Sequence, residues 1–224
     1  MSSTFCEETH WEKAAKTRMG KYLTQVETTF IFSSIDPSQF TAIVDIGAEA
    51  GRFSMLTENI NAMSVSLDIE SHGLKRLRLK TKSSHVIQAD ARRTPFKDGI
   101  FDAVFMIEVL DYIAESEEAL RECHRIMKPG ASLFISFGNK SSFKAYVKKL
   151  RGKSYMHSYK EITHLLLKTP LNIKRVIGYN WLPFGRMSEN RLIPFLAFLE
   201  WFFGFRRIPR LSPWVIMQAV KNLQ

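Results

Sequence analysis

The sequence predicts an α/β domain built on a doubly wound, mostly parallel β-sheet. Short apolar runs rich in β-branched residues recur between residues 40 and 137, and segments with helical spacing separate them. Three of these runs end in an aspartate, and a turn with two glycines follows the first. Such alternation is typical of βαβ units, whose parallel sheet is covered by helices on both faces. Because ligands of these sheets bind beyond the carboxyl ends of the strands, we expect the functional site there.

Residues 1–36 are predicted to form a helical cap before the sheet begins. Apolar residues recur at roughly helical spacing as far as Phe30, and the sequence Asp36-Pro37-Ser38 ends the pattern. The first strand is predicted at residues 40–46. Further strands are expected at 65–69, 86–90, 101–107, 133–137, 171–179 and 214–220, and further helices at 53–59, 71–82 and 115–127.

Length and cysteine content limit the class of protein. A chain of 224 residues has the size of one domain with some decoration. Two cysteines, Cys6 and Cys123, are too few for a disulfide framework, and no Cys/His spacing suggests zinc, so no metal is expected. A reducing cytoplasm fits this composition. The polar N-terminal segment lacks the apolar core of a secretory signal.

Three aspartates and a glycine turn are expected to converge on one edge of the sheet. Asp45, Asp68 and Asp90 each lie at the end of a predicted strand. Asp68 follows the turn by about 20 residues, a spacing that suits a carboxylate bound to ribose hydroxyls. The turn reads Gly47-Ala48-Glu49-Ala50-Gly51, which differs from the Gly-x-Gly-x-x-Gly of dehydrogenases. Asp90, followed by Ala91, suits a bond to the exocyclic amine of adenine. The turn alone also fits an ordinary βα connection.

Several short motifs occur in order between residues 44 and 131. They are Val44-Asp45-Ile46-Gly47-x-x-x-Gly51, Leu67-Asp68-Ile69, Ala89-Asp90-Ala91, Thr94-Pro95-Phe96, Phe101-Asp102-Ala103-Val104, Glu108-Val109-Leu110 and Arg125-Ile126-Met127-Lys128-Pro129-Gly130-Ala131. Together they resemble the class I S-adenosylmethionine-dependent methyltransferases, in the branch that acts on small molecules such as quinone and lipid precursors. The resemblance implies a Rossmann-like fold, S-adenosyl-L-methionine as cofactor and S-adenosyl-L-homocysteine as product.

The resemblance also implies which residues bind the cofactor. Asp68 would bind the ribose hydroxyls, Ile69 would pack on adenine, and Asp90 would accept from the adenine amine. Met106, Ile107 and Glu108 would line the floor near the sulfonium. The full set of cofactor-binding residues implied is Asp45, Gly47, Glu49, Gly51, Asp68, Ile69, Asp90, Ala91 and Ile107.

The sequence departs from the pattern of this family at two places. Glu49 stands where relatives usually have glycine, and its side chain could point outward, pair with the cofactor's amino group or block binding. Asp111-Tyr112 replaces a segment that often carries histidine. These departures leave a catalytically degenerate binding protein as an alternative to an enzyme.

A general base is needed only if the methyl acceptor carries a proton, because the donor is already activated. The candidates are His157, His164, Tyr159, Asp111 and Glu108. His157 follows the fifth strand, where acceptor-site insertions of this family lie. A lone histidine suits a packing role equally well.

The last two fifths of the chain carry all of its positive excess. Residues 131–224 have 16 Lys and Arg against 3 Asp and Glu, or +13, whereas residues 1–130 have 16 against 19, or −3. Within this part, residues 192–205 form an apolar run whose only charge is Glu200. The run is too short to span a membrane, which takes about 20 residues.

This basic and apolar region admits several interpretations. Residues 186–210 could form a lid packed on the domain, a helix at an anionic membrane surface or a tunnel for a lipid-like acceptor. RNA is favoured less, because the aromatic residues are not interleaved with basic ones. We therefore expect a cytoplasmic, membrane-associated enzyme with a small-molecule acceptor, and an RNA methyltransferase stays as an alternative. One domain is expected over 1–224, with a helical cap at 1–36, a cofactor-binding core at 37–138 and an acceptor and lid region with closing strands at 139–224.

Overall fold

A computed structural model of the chain describes residues 7–58, 60–149 and 157–223, with only the backbone at 148 and 149. The strands are β1 (Ala42–Ile46), β2 (Met63–Asp68), β3 (His85–Gln88), β4 (Phe101–Ile107), β5 (Met127–Gly138), β6 (Leu171–Tyr179) and β7 (Trp214–Lys221). The α-helices are α1 (His10–Lys16), α2 (Arg18–Phe32), α3 (Ser54–Thr57), α4 (Ser71–Lys80), α5 (Ser116–Ile126), α6 (Phe143–Lys149), α7 (Tyr159–Lys168) and α8 (Ile193–Phe202).

These strands form one sheet in the order β3-β2-β1-β4-β5-β7-β6. Neighbouring strands are parallel except for β7, which runs antiparallel to β5 and β6. Val44 of β1 pairs with Val65 of β2 on one side and with Val104 of β4 on the other. The winding direction changes between β1 and β4, which opens a crevice at their carboxyl ends. The predicted doubly wound, mostly parallel sheet is confirmed.

Both faces of the sheet are covered by helices. Val44 and Met106 point to one face, in a core that includes residues of α5 and α7. Ile43 and Phe105 are one position away on the same strands and point to the other face, where α2 packs. Each large apolar side chain buried in this way contributes roughly 1.5–3 kcal/mol. The two layers therefore hold the strand ends, and any residue attached to them, in a defined arrangement.

Two features of the chain differ from the sequence-based prediction. The predicted N-terminal helix is two helices, and its residues 1–6 lie outside the described part. Thr17 separates them because its hydroxyl accepts a hydrogen bond from the N–H of Gly20 at 3.0 Å and caps α2. The spacing of apolar residues does not indicate where a polar side chain caps a helix, so the break at Thr17 was not predicted. The strand predicted at 133–137 begins earlier, at Met127, and a shift in register near Ala103 accommodates Pro129.

The apolar run at residues 192–205 forms α8 and part of a following 3₁₀ turn, Phe205–Arg207. In the described ranges, no helix is long and apolar enough to cross a membrane. Several basic residues follow β5 in the sequence; Lys144 lies on α6, whereas Arg151 and Lys153 fall outside the described residues.

Gly20 is required by the close approach of α1 to α2. A Cβ atom built at Gly20 would lie 1.9 Å from the carbonyl oxygen of Ala14, which is backbone and cannot rotate away. We expect Gly20→Ala to lower the free energy of unfolding by about 1–3 kcal/mol, as overpacking commonly does. Chemical denaturation measures this change.

The matched control is Gln25→Ala at an exposed position of the same helix. It should be neutral or slightly stabilising, because alanine is the best helix former. Equal stability of Gly20→Ala and wild type would contradict the close packing of α1 on α2.

Candidate active site

A cavity of about 1370 Å³ lies at the carboxyl ends of the central strands. Its volume exceeds the roughly 300–1,000 Å³ of an ordinary ligand pocket, so it has room for two small molecules. The walls come from α1, the glycine loop, the ends of β2, β3 and β4 and the segment before α8. The lining residues include Thr9–Glu12, Gly47–Phe53, Asp68–Glu70, Ala89–Arg92, Ile107–Val109, Tyr112–Glu115 and Arg186. Every predicted cofactor-binding residue lies on this surface.

The glycine loop has a left-handed backbone at three positions. The φ angles are 75° at Gly47, 48° at Glu49 and 89° at Gly51. A Cβ atom at Gly47 would lie only 2.2 Å from the Val109 side chain, so this position suits glycine alone. The loop can therefore lie directly against the end of β4.

Glu49 adopts the backbone conformation that glycine would take. A left-handed non-glycine residue costs on the order of 1–3 kcal/mol, and local bonds offset part of that cost. The N–H of Glu49 donates to Asp68 Oδ2 at 2.8 Å. The Glu49 carboxylate turns back and accepts a hydrogen bond from the N–H of Ala50. The glutamate thus keeps the glycine-type shape of the loop.

Asp68 and Ile69 lie side by side on the cavity wall, where β2 ends. The two carboxylate oxygens of Asp68 accept from the N–H groups of Glu49 at 2.8 Å and Glu70 at 2.9 Å. Each oxygen keeps acceptor capacity for a further partner. Ile69 exposes 57% of its surface on the cavity side of β2. An exposed apolar side chain beside an oriented carboxylate fits a nucleoside.

Asp90 is held by its neighbour Arg92. Its carboxylate lies 2.6 Å from Arg92 Nη2 and accepts from the Arg92 N–H at 2.8 Å. The hydrogen bonds from Arg92 lower the pKa of Asp90. Arg92 also contacts Glu115 at 2.5 Å. Sequence reasoning placed Asp90 at this edge of the sheet but missed this guanidinium, which lines the same cavity.

Asp45 and the end of β4 complete the floor. Asp45 is buried and accepts from the Ser54 hydroxyl at 2.6 Å, and burial raises its pKa to about 6. Ile107 lines the cavity. Met106, predicted beside it, is fully buried in the core on one face of the sheet, because successive strand residues point to opposite faces.

A buried cluster of alternating charges lies beside this floor. Arg52 donates from Nη1 to Glu27 Oε2 at 2.7 Å and from Nη2 to Glu108 Oε1 at 2.9 Å. Arg186 binds the other carboxylate oxygen of Glu108. The Tyr179 hydroxyl lies 2.5 Å from Glu27 Oε1. Sequence reasoning missed Glu27 and the ion pairs that Arg52 and Arg186 form with carboxylates, because these residues come from distant parts of the chain.

The charge cluster shifts the pKa values of its two carboxylates in opposite directions. Complete burial raises the pKa of Glu27 to about 7, against the attraction of Arg52. Burial would also raise the pKa of Glu108, but Arg186 and Arg52 outweigh it and hold that pKa below its ordinary value. Glu108 is therefore ionised at neutral pH and is a weak proton acceptor.

Aromatic side chains form the remaining wall near Glu108. The Arg186 guanidinium lies 5.0 Å from the ring centroid of Trp11 and 5.4 Å from that of Trp214. Trp11 meets Tyr112 edge to face with centroids 6.3 Å apart. Both Trp11 and Tyr112 line the cavity. Glu12, the residue after Trp11, forms ion pairs with Arg76 and Lys80 and so connects α1 to α4.

Of the five predicted base candidates, Glu108 faces the cavity, and His164 and Tyr159 are not among its lining residues. Glu108 lines it, with φ of 63° at the end of β4. His157 is buried elsewhere, with Nε2 3.0 Å from both Ser116 Oγ and Leu110 O. Asp111 is outside the lining, and its Oδ2 accepts from the N–H of Gly138 at 2.9 Å. The structure thus places His157 and Asp111 in packing contacts, because nearness to a strand end in sequence does not set side-chain direction.

Comparison with known proteins agrees with this fold. Residues 44–135 match the family model described as a methyltransferase domain. The chain is 27% identical over 179 residues to a ubiquinone biosynthesis O-methyltransferase of Xanthomonas oryzae, covering 70% of this chain and 74% of the relative. A SAM-dependent methyltransferase structure from Thermotoga maritima superposes with a TM-score of 0.65 at 17% identity, covering 91% of each chain.

A second structure, phosphoethanolamine N-methyltransferase 2 of Haemonchus contortus in complex with S-adenosyl-L-methionine, superposes with a TM-score of 0.62 at 18% identity. The alignment covers 89% of this chain and 53% of that one. The fold, the cavity and the family match together define an S-adenosylmethionine-dependent methyltransferase. These similarities support class I of these enzymes, with S-adenosylmethionine as the cofactor.

Glu27→Gln should change how stability depends on pH. In the folded protein the pKa of Glu27 is about 7, against an ordinary value of 4.5. The folded state therefore binds the proton of Glu27 more tightly than the unfolded state does. The stabilisation that results is fully present below pH 4.5 and is lost as the pH rises through 7. We expect wild-type stability to fall by about 2–3 kcal/mol relative to Glu27→Gln across this window.

Urea denaturation at closely spaced pH values measures the difference. Glu118→Gln, at an exposed position of α5, controls for the loss of one carboxylate. Parallel stability curves for wild type and Glu27→Gln would show that Glu27 does not bind the proton.

Proposed function

We propose that this enzyme transfers a methyl group to a small hydrophobic or phosphate-bearing acceptor bound at the aromatic end of the cavity. The observation that carries the proposal is that one cavity joins two different ends. One end has the glycine loop, Asp68 and Ile69, and the other has Glu108, Arg186 and the aromatic wall. The first end suits a nucleoside cofactor, and the second leaves room for an acceptor.

On the cofactor side, the donors and acceptors match the chemistry of S-adenosylmethionine. We assign Asp68 to the ribose hydroxyls, Ile69 to the adenine face, and Asp90 with the N–H of Ala91 to the adenine edge. Gly47 and Gly51, with Asp45 and Glu49 in the same motif, form the wall for the methionine part. Ile107 forms the floor. The cofactor supplies an activated methyl group on sulfur, and these side chains bind and orient it.

On the acceptor side, the residues favour an acceptor that ionises readily. Glu108 is held ionised by Arg52 and Arg186, so it is poorly suited to remove a proton from an aliphatic alcohol. A phenolic hydroxyl loses its proton more easily, and nearby guanidinium groups favour the resulting anion. The aromatic wall of Trp11 and Tyr112 suits a planar body. The O-methyltransferase named among the relatives supports this class of acceptor.

We also propose that the acceptor is lipid-linked and that the protein meets it at an anionic membrane surface through residues 186–210. The three regions of the chain would then have different roles in binding. Residues 37–138 bind the cofactor, whereas the cap at 1–36 and the region 139–224 contribute Trp11 and Arg186 to the acceptor end.

Asp68→Ala should weaken binding of S-adenosylhomocysteine at least tenfold, because it removes the carboxylate assigned to the ribose. A tenfold loss corresponds to about 1.4 kcal/mol, the size expected for hydrogen bonds to a charged group. Isothermal titration calorimetry of wild type and variant gives both affinities.

Asp98→Ala serves as the control, because Asp98 has a side chain 80% exposed and pairs with Arg125 away from the cavity. The affinity of Asp98→Ala for S-adenosylhomocysteine should equal that of wild type. Thermal unfolding checks that both variants are folded. Equal binding by Asp68→Ala and wild type would remove the ribose assignment.

Arg186→Gln should slow methyl transfer at least tenfold while it leaves the affinity for S-adenosylhomocysteine within threefold. The guanidinium lies at the acceptor end, so its loss should act on the acceptor and not on the nucleoside. The assay uses labelled S-adenosylmethionine with an alkyl catechol in mixed micelles, and an alkyl alcohol of equal chain length as the comparison. Equal rates with the two acceptors would contradict the phenolic class.

A further inference from the structure

The exposed side of α8 is apolar, and its buried side carries a charge. Ile193 and Glu200 are its buried residues, and they lie two turns apart on one face. The outward side chains are aromatic and each is more than half exposed: Phe195 59%, Phe198 52%, Trp201 62% and Phe202 62%. An ordinary surface helix shows the opposite arrangement, with its apolar face toward the core.

Glu200 fixes the rotation of α8 about its axis. Its carboxylate accepts from the Tyr22 hydroxyl at 2.6 and 2.7 Å, from the N–H of Trp181 at 2.9 Å and from Arg206 Nε at 3.0 Å. Turning the aromatic side inward would break these bonds and leave the buried Tyr22 hydroxyl and the Trp181 N–H without their acceptor, which is unfavourable. The aromatic side is therefore held toward solvent by the packing of the opposite face.

The exposed rings form a continuous surface that extends past the end of α8. Phe198 stacks on Phe202 at 5.8 Å, Phe202 meets Phe203 at 5.3 Å, and Phe203 lies 6.2 Å from Phe205. We call this surface the α8 patch. It comprises Leu192, Phe195, Phe198, Trp201, Phe202, Phe203, Phe205, Ile208 and Leu211. An apolar patch of this kind usually marks an interaction site.

Exposed arginines occur in the same segment of the chain as the α8 patch. Arg191, Arg207 and Arg210 are exposed. Between residues 191 and 211 the sequence has one acid, Glu200, and that acid is buried. The exposed part of this segment therefore carries only positive charge.

We propose that the α8 patch docks on a lipid bilayer that carries anionic headgroups. Aromatic rings suit the headgroup boundary, and arginines beside them suit lipid phosphates. With 10 residues, α8 can lie in the interface but is too short to cross the bilayer. A second copy fits less well, because two patches face to face would bring arginines together without exposed acids. The inference deepens the proposed function and rests on it only for the acceptor, which a docked enzyme would meet in the lipid.

Co-sedimentation with vesicles tests the docking surface. Wild type should bind vesicles of equal phosphatidylglycerol and phosphatidylcholine at least tenfold more tightly than vesicles of phosphatidylcholine alone. The combined variant Phe195→Ser, Phe198→Ser, Trp201→Ser and Phe202→Ser should lose at least tenfold in binding to the anionic vesicles. Arg207→Gln with Arg210→Gln should reduce the preference for anionic over neutral vesicles.

Two controls separate docking from general effects. Leu79→Ser changes an apolar side chain that is 79% exposed on α4, and vesicle binding should be unchanged. Thermal unfolding and S-adenosylhomocysteine titration of the combined variant should match wild type, since the changed side chains are exposed. In addition, the fluorescence of wild type should shift to shorter wavelength on anionic vesicles, and Trp201→Phe should reduce this shift.

Two results would overturn the proposal. One is equal sedimentation of wild type and the combined variant. The other is that wild type forms a concentration-dependent dimer and does not bind vesicles, whereas the combined variant is monomeric. Either result leaves the cofactor titration untouched, and a failed titration leaves the vesicle result untouched, so the docking surface and the cofactor assignment fail independently.

Discussion

One guanidinium group shared by two buried carboxylates connects the main parts of this methyltransferase. Arg52 leaves the glycine loop and binds Glu27 of α2 and Glu108 at the end of β4. Removing a partner from a buried ion pair is strongly destabilising, so these elements are held in register with one another. Arg186 binds the free side of Glu108 and extends the network to the segment before α8. The loop and the strand end that border the cavity are thus aligned by charge as well as by packing.

The helix α2 relates the cavity to the outward aromatic surface. It carries Glu27, which belongs to the charge cluster, and Tyr22, which binds Glu200 of α8. The two contacts lie on the buried side of one helix, and both use a carboxylate in the protein interior. A shift of α2 would therefore disturb the cavity and the α8 patch together. This arrangement gives the proposed membrane contact and the proposed acceptor end a common support.

Much of the cofactor end could be predicted from sequence. Asp68, Ile69 and Asp90 follow buried strands, and the ends of parallel strands meet at one edge whatever the side-chain details. The acceptor end could not be predicted in this way. Trp11 and Arg186 are brought to Glu108 from opposite ends of the chain, and no local pattern links them. His157 was predicted from its position after a strand, but its ring bonds to Ser116 and Leu110 instead.

The sequence by itself determined the order of strands and helices, the glycine loop with its acids, and an apolar run around a single glutamate. These features follow from spacing and composition over a few residues. Only the tertiary structure decided which way that apolar run faces. Its direction depends on Glu200, whose partner Tyr22 lies 178 residues away, and on Trp181 and Arg206. A buried carboxylate must be paired, and its available partners lie on the inner side of α8, so the aromatic rings face outward.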